Sequence, residues 1–187
     1  MRAFVGISLP ADFADWFHES MEPIRLMTSK LRLVPPESCH VTLRFLGEIS
    51  REEIGDVVYR LSASLRSVPN TSVSLERFGM FRRNGWPAVL WVGPRAVPEG
   101  LRSLAATVST SLLGLGSNAR VDHFEPHVTL GRFAAGTYDQ DVASIESMQV
   151  KGYVIPVENI VLYESLMGQG RPVYVARAAV SLARFAE

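Results

Sequence analysis

The tetrad His-Val-Thr-Leu occurs twice in this chain, as HVTLRF from His40 and as HVTLGRF from His127. Both copies have strand composition and strand length. In a strand, residues i and i+2 share a face. His40 and Thr42 therefore project together, with Val41 and Leu43 beneath, and His127 and Thr129 project together above Val128 and Leu130. The chain has only four histidines, and these two stand 87 residues apart in a length of 187. A two-faced strand repeated once per half fits an internal duplication whose apolar faces share one core. The polar faces then border one common space. The same parity puts Arg44 on the His40 face. It sends Arg132 to the wrong face, unless Gly131 permits a bulge.

The surrounding pattern supplies two α+β halves. RAFVGISL reads as an opening strand ended by Pro10, and Phe13, Trp16, Phe17, Met21, Ile24 and Met27 recur at helical spacing. Pro23 is expected to kink or split that helix. Ser50 with Glu53 forms a capping-box start for a helix to about Leu65. TSVSLERFGMF and AVLWVGP read as two strands joined across Asn84-Gly85, a hairpin signal. Leu101, Leu104, Ala105, Val108, Leu112 and Leu115 mark another helix. Residues 139 to 149 carry no clear pattern, and YVIPVENIVLYESL and VYVARAAVSLARF suggest strands, with a final hairpin across MGQGRP. No low-complexity linker divides the chain. The expectation is an α+β, bilobal, pseudo-symmetric fold, with two antiparallel-rich sheets and outer helices around a central cleft, over one domain spanning 1–187.

Nineteen basic residues balance nineteen acidic ones, which argues against bulk electrostatic binding of long nucleic acid. A local basic pocket for one phosphate or RNA end is still allowed. Cys39 is the only cysteine, which excludes an internal disulfide and a thiolate-rich zinc site. The opening MRAFVGISLP is too soon broken by Pro10 for a signal peptide's apolar region, and no apolar run approaches the ~20 residues of a membrane span. The expected setting is the cytoplasm, with no membrane partner and a monomer as the default. The HFEPH stretch spaces His123 and His127 four apart, but Pro126 opposes a helical metal motif. No metal or other cofactor is expected. Cys39 next to His40 should face the other way, as a buried inert thiol, and His18 belongs to an amphipathic helix.

Two imidazoles and two hydroxyls around one space suit phosphodiester chemistry. A neutral imidazole can take a proton from a nucleophile, and a protonated one can deliver a proton to the leaving oxygen. Threonine hydroxyls can donate to non-bridging phosphate oxygens. With HVTLRFLGEI, EPHVTLGRF, the opening RAFVGISLP and NIVLYESLMGQGRPVYVA, the chain resembles the two-histidine phosphoesterases, specifically the RNA 2′,3′-cyclic phosphodiesterases also called 2′-5′ RNA ligases. The resemblance runs from Arg2 to about Leu182. It implies metal-independent hydrolysis of a 2′,3′-cyclic phosphate on RNA to a 2′-phosphate, with reversible 2′-5′ ligation as a weaker activity. It further implies His40 as general acid on the 3′ oxygen, His127 as general base, and Thr42 and Thr129 as phosphate ligands. Arg132 matches a family arginine that assists phosphate binding, and Arg44 is the alternative source of positive charge. Two other readings stay open: a phosphate or RNA-end binding module without turnover, and a phosphodiesterase for small cyclic nucleotides. Arg82, Arg83 and Trp86 at the hairpin tip are candidates to stack a base and touch a backbone phosphate. Tyr163 and Tyr174 are candidates for the cleft wall.

Overall fold

A computed structural model describes residues 1–117, 124–168 and 171–183. In chain order it contains β1 (Arg2–Ser8), α1 (Phe13–Met27), β2 (Leu31–Leu33), β3 (His40–Glu48), α2 (Glu53–Ser64), β4 (Thr71–Leu75) and β5 (Arg77–Arg83). There follow β6 (Trp86–Gly93), α3 (Glu99–Ser111), β7 (Val128–Phe133), the short α4 (Asp139–Val142), β8 (Tyr153–Val157), β9 (Asn159–Gly168) and β10 (Arg171–Ser181). The main antiparallel sheet runs β10-β9-β1-β3-β7-β6-β5, with β2 also on β7, and β4 pairs with β8 in a second sheet.

Local chemistry explains most boundaries. Helix α1 buries Phe13, Trp16, Phe17, Met21 and Ile24 and runs through Pro23 to Met27 without the expected split. Ser50 and Glu53 bond reciprocally at the start of α2: the Ser50 N–H donates to Glu53 Oε2 at 2.7 Å, and the Glu53 N–H to Ser50 Oγ at 3.2 Å. Asn84 and Gly85 both take positive φ, 52° and 81°, the backbone that a tight two-residue hairpin demands. One cluster of buried side chains extends from Ala3 through all three long helices to Leu182.

The strands also differ from the sequence reading. TSVSL does not continue into the hairpin; it leaves at Glu76 as β4 and pairs with β8, Val73 facing Ile155. Three-residue β2, followed by Pro35 and Pro36, was not anticipated because three residues are too few to show a period. Strand β3, which begins at His40, and β7, which begins one residue after His127, meet through a single registered pair, Val41 with Val128. The halves diverge from that point, and the cleft opens above it.

Candidate active site

The antiparallel register at Val41 and Val128 decides the layout. Continued by one residue each way, it puts His40 across from Thr129 and Thr42 across from His127. Each imidazole thus faces the other phrase's hydroxyl, in a pseudo-twofold arrangement about the strand contact. All four residues line a cavity of about 800 Å³.

The two rings are held alike. His40 Nδ1 lies 2.9 Å from the Ser38 carbonyl oxygen, and His127 Nδ1 lies 2.8 Å from that of Glu125. A carbonyl only accepts, so each Nδ1 carries the proton and donates it. Nε2 is left as the nitrogen that can exchange a proton with a ligand. Phe4 packs on His40 at 4.6 Å between ring centroids and Tyr174 meets it edge-on at 4.8 Å. Phe81 meets His127 edge-on, also at 4.8 Å, with Trp91 behind. Burial lowers the pKa of both histidines, partly opposed by the carbonyl bonds; the nearby His127 charge lowers His40 further, and the Glu125 carboxylate opposes the shift at His127.

Glycines set the close approach of the flanking strands. A Cβ on Gly6 would stand 2.8 Å from the Val41 carbonyl oxygen, so β1 can press against the first phrase only without a side chain there. A Cβ on Gly79 would stand 2.2 Å from the Trp91 ring, which lies beside His127.

Strand parity fails at equivalent points in both halves. In β3 the register with β1 skips Leu43, going from Thr42 opposite Gly6 to Arg44 opposite Val5. In β7 the register with β6 skips Leu130, going from Thr129 opposite Trp91 to Gly131 opposite Leu90. Each skipped residue is a bulge that reverses the alternation beyond it. Arg132 is thereby turned into the cavity. Arg44, expected on the His40 face, is instead 5% exposed beneath the sheet, where Nη1 donates to the Ser109 carbonyl at 2.9 Å. Its place at the cleft is taken by Phe45.

Four arginines, Arg2, Arg32, Arg132 and Arg171, line the cavity, and no Asp or Glu does among the described residues. Arg32 and Arg132 are direct cross-strand neighbours. A chain of zero net charge therefore concentrates cations where the imidazoles meet. Sequence reading missed Arg2, Arg32 and Arg171, because nothing local marks them. Tyr174 lines the cavity; Tyr163 lies behind it, stacked on Phe4 at 5.1 Å. Burial pushes the Cys39 thiol up to about 12, and His18 is exposed on α1. His123 lies outside the described residues. No group of three or more His, Cys, Asp or Glu positioned to hold a metal ion occurs among the described residues, and no helix there is long and apolar enough to cross a membrane.

Residues 12–166 match the model of the 2′-5′ RNA ligase superfamily. The chain belongs to that superfamily. Among curated members, the RNA 2′,3′-cyclic phosphodiesterase of Archaeoglobus fulgidus is 35% identical over 135 residues, covering 71% of this chain and 72% of the relative. That of Thermotoga maritima is 26% identical over 174 residues, covering 93% and 91%. The crystal structure of Escherichia coli LigT in apo form superposes with a TM-score of 0.76 at 26% identity over 98% of each chain; the same protein complexed with phosphate gives 0.73. The superfamily relation accounts for the α+β architecture, and for the pairing of two half-sheets around one cleft.

Proposed function

We propose that this protein hydrolyses a 2′,3′-cyclic phosphate at an RNA end to a 2′-phosphate, without a metal ion. The observation that carries the reading is the matched pair of imidazoles, each anchored through Nδ1 to a backbone carbonyl and each opposite a threonine of the other phrase. The names of the curated relatives, RNA 2′,3′-cyclic phosphodiesterases, support it.

The cyclic phosphate lies between the rings, with Thr42 and Thr129 hydroxyls donating to its non-bridging oxygens. Arg132 adds positive charge where negative charge builds up in the transition state. Water attacks phosphorus and gives its proton to His127 Nε2. The bond from phosphorus to O3′ breaks, and O3′ takes the proton from His40 Nε2. The product is a 2′-phosphate with a free 3′-hydroxyl, and solvent restores the starting protonation. His40 takes the acid role because the aromatic surface packed around it can receive the nucleoside. Phe4, Phe45, Met167 and Tyr174 there suit the nucleoside, whose ribose carries the leaving oxygen. A 5′-hydroxyl attacking in place of water gives a 2′-5′ linkage by the same proton movements.

The test is a short RNA ending in a 2′,3′-cyclic phosphate, incubated in EDTA with the parent, His40→Ala and His127→Ala. The parent should release a 2′-phosphate, and each variant should be slower by roughly a thousandfold, within the range for a positioned acid or base. A 3′-phosphate product would reverse the assigned leaving group. Activity lost in EDTA and restored by a divalent metal would overturn the metal-free reading. Binding without turnover would leave a phosphate-binding module.

A further inference from the structure

The face that carries the histidines does not end at Arg132. In β6 the register with β5 goes from Val89 opposite Phe81 to Pro87 opposite Arg82, skipping Ala88. This bulge has the same consequence as those at Leu43 and Leu130: the residue three positions from a cleft-facing one returns to the cleft face. Val89 lines the cavity, and Trp86 is that residue. Arg83 is the cross-strand partner of Trp86 and shares its face. The opposite face of the hairpin is covered, since Arg82 Nη2 pairs with Glu146 at 2.6 Å.

A strip therefore continues from the cavity along β7 and β6. Its first row is Phe81, Val89, Arg132 and Arg32, in register across four strands. Its second row, two residues on along β5 and three along the bulged β6, roughly 7 Å further on, is Arg83 and Trp86, with Tyr138 beside the tryptophan. Trp86 is 47% exposed and Tyr138 52% exposed, and the two rings meet edge-on at 5.1 Å. Lys30 Nζ stands 5.6 Å from the Tyr138 ring centre. Arg32 opposite Arg132 is a like-charge cross-strand pair, destabilising unless an anion lies over it. Exposed aromatics alternating with cations are the chemistry that holds single-stranded nucleic acid, bases on rings and phosphates on arginines.

We infer that this strip is the seat of a second RNA strand, the one that supplies a 5′-hydroxyl in 2′-5′ ligation. The inference rests on the proposed function, and within it on His127 as the base. In an in-line displacement the nucleophile enters from the side opposite the leaving oxygen, hence from the His127 side. The strip begins on that side, because β7 carries the chain from His127 to Arg132. Water needs no strip, whereas a 5′-hydroxyl strand gains its local concentration from one.

The experiment compares the parent with the Trp86→Ala/Tyr138→Ala double variant and with Trp86→Phe. Three quantities are measured: hydrolysis of a cyclic-phosphate oligonucleotide, hydrolysis of a 2′,3′-cyclic mononucleotide, and 2′-5′ joining of the oligonucleotide to a 5′-hydroxyl RNA. Equilibrium binding of the 5′-hydroxyl RNA alone is followed by fluorescence anisotropy. In the double variant the ratio of joining to hydrolysis should fall about tenfold, binding should weaken similarly, and Trp86→Phe should recover most of both. Thermal melting confirms that the exposed substitutions leave the fold intact. An unchanged ratio with unchanged binding overturns the inference. So does a loss confined to hydrolysis of the oligonucleotide relative to the mononucleotide, which would put the cyclic-phosphate strand on the strip. If the parent hydrolyses neither substrate, the proposed function fails, and the binding arm alone still decides whether the strip holds RNA.

Discussion

Phe45 and Arg132 occupy equivalent places, five residues after His40 and His127, and both reach the cleft through a bulge two residues earlier. The pseudo-symmetric scaffold thus offers one cation and one aromatic ring at matched points in the cleft. A symmetric pair of imidazoles is made directional by what stands beside each of them.

Removing Arg132 should remove charge stabilisation that grows in the transition state. Arg132→Ala is expected to lower kcat/KM by about a hundredfold, with Arg132→Lys recovering part of it. Phe45→Ala should act mainly on KM and by less than about tenfold, as a lost stacking surface does. Steady-state kinetics on one cyclic-phosphate RNA settles both. Equal losses in kcat from the two substitutions would contradict the division of roles.

The pH profile follows from the direction of the histidine shifts. Turnover needs one imidazole neutral and the other protonated, so it is bell-shaped between the two apparent pKa values of the pair. Burial lowers both from 6.5. In the free protein the acidic limb therefore moves down, and the protonated acid is also lost at a lower pH than for an ordinary histidine. The maximum of kcat/KM should accordingly lie below pH 6.5. A bound phosphate anion favours both imidazolium forms, so the maximum of kcat should lie at higher pH than that of kcat/KM. A kcat/KM maximum at pH 7.5 or above would speak against desolvation as the dominant influence.

Arg44 is a buried cation with one hydrogen bond, to Ser109, while Nε and Nη2 find no partner among the described residues. Replacing such a charge with an apolar side chain of similar length is often neutral or stabilising. Arg44→Met should hold or raise the unfolding midpoint and keep turnover within about twofold. Arg44→Ala, which leaves a cavity, should destabilise by roughly 2 kcal/mol or more. Denaturant unfolding of both, with one activity measurement each, checks this. A tenfold fall in turnover for Arg44→Met would return Arg44 to the site.

The His40 and His127 pair was legible because strand alternation is local. Val, Thr and Leu beside each histidine establish a strand and its two faces, and no tertiary contact is needed to see which residues share one. The capping box of Ser50 and Glu53 and the Asn84-Gly85 turn were legible for the same reason, since a few adjacent residues satisfy each other's backbone. Arg32, Arg2 and Arg171 left no such trace. They come from three separate strands and acquire meaning only when those strands border one cavity.

By itself, then, the sequence determined two polar-faced strands, their apolar undersides, and two histidines that each share a face with a threonine. Only the tertiary structure decided that each histidine stands across from the other phrase's threonine, because antiparallel register is a property of two strands and not of one. It also decided that Arg132 and Phe45, and not Arg44, enter the cleft. A bulge exists where one strand pairs with another, and the skipped Leu43 and Leu130 reverse a parity that each strand, read alone, would have kept.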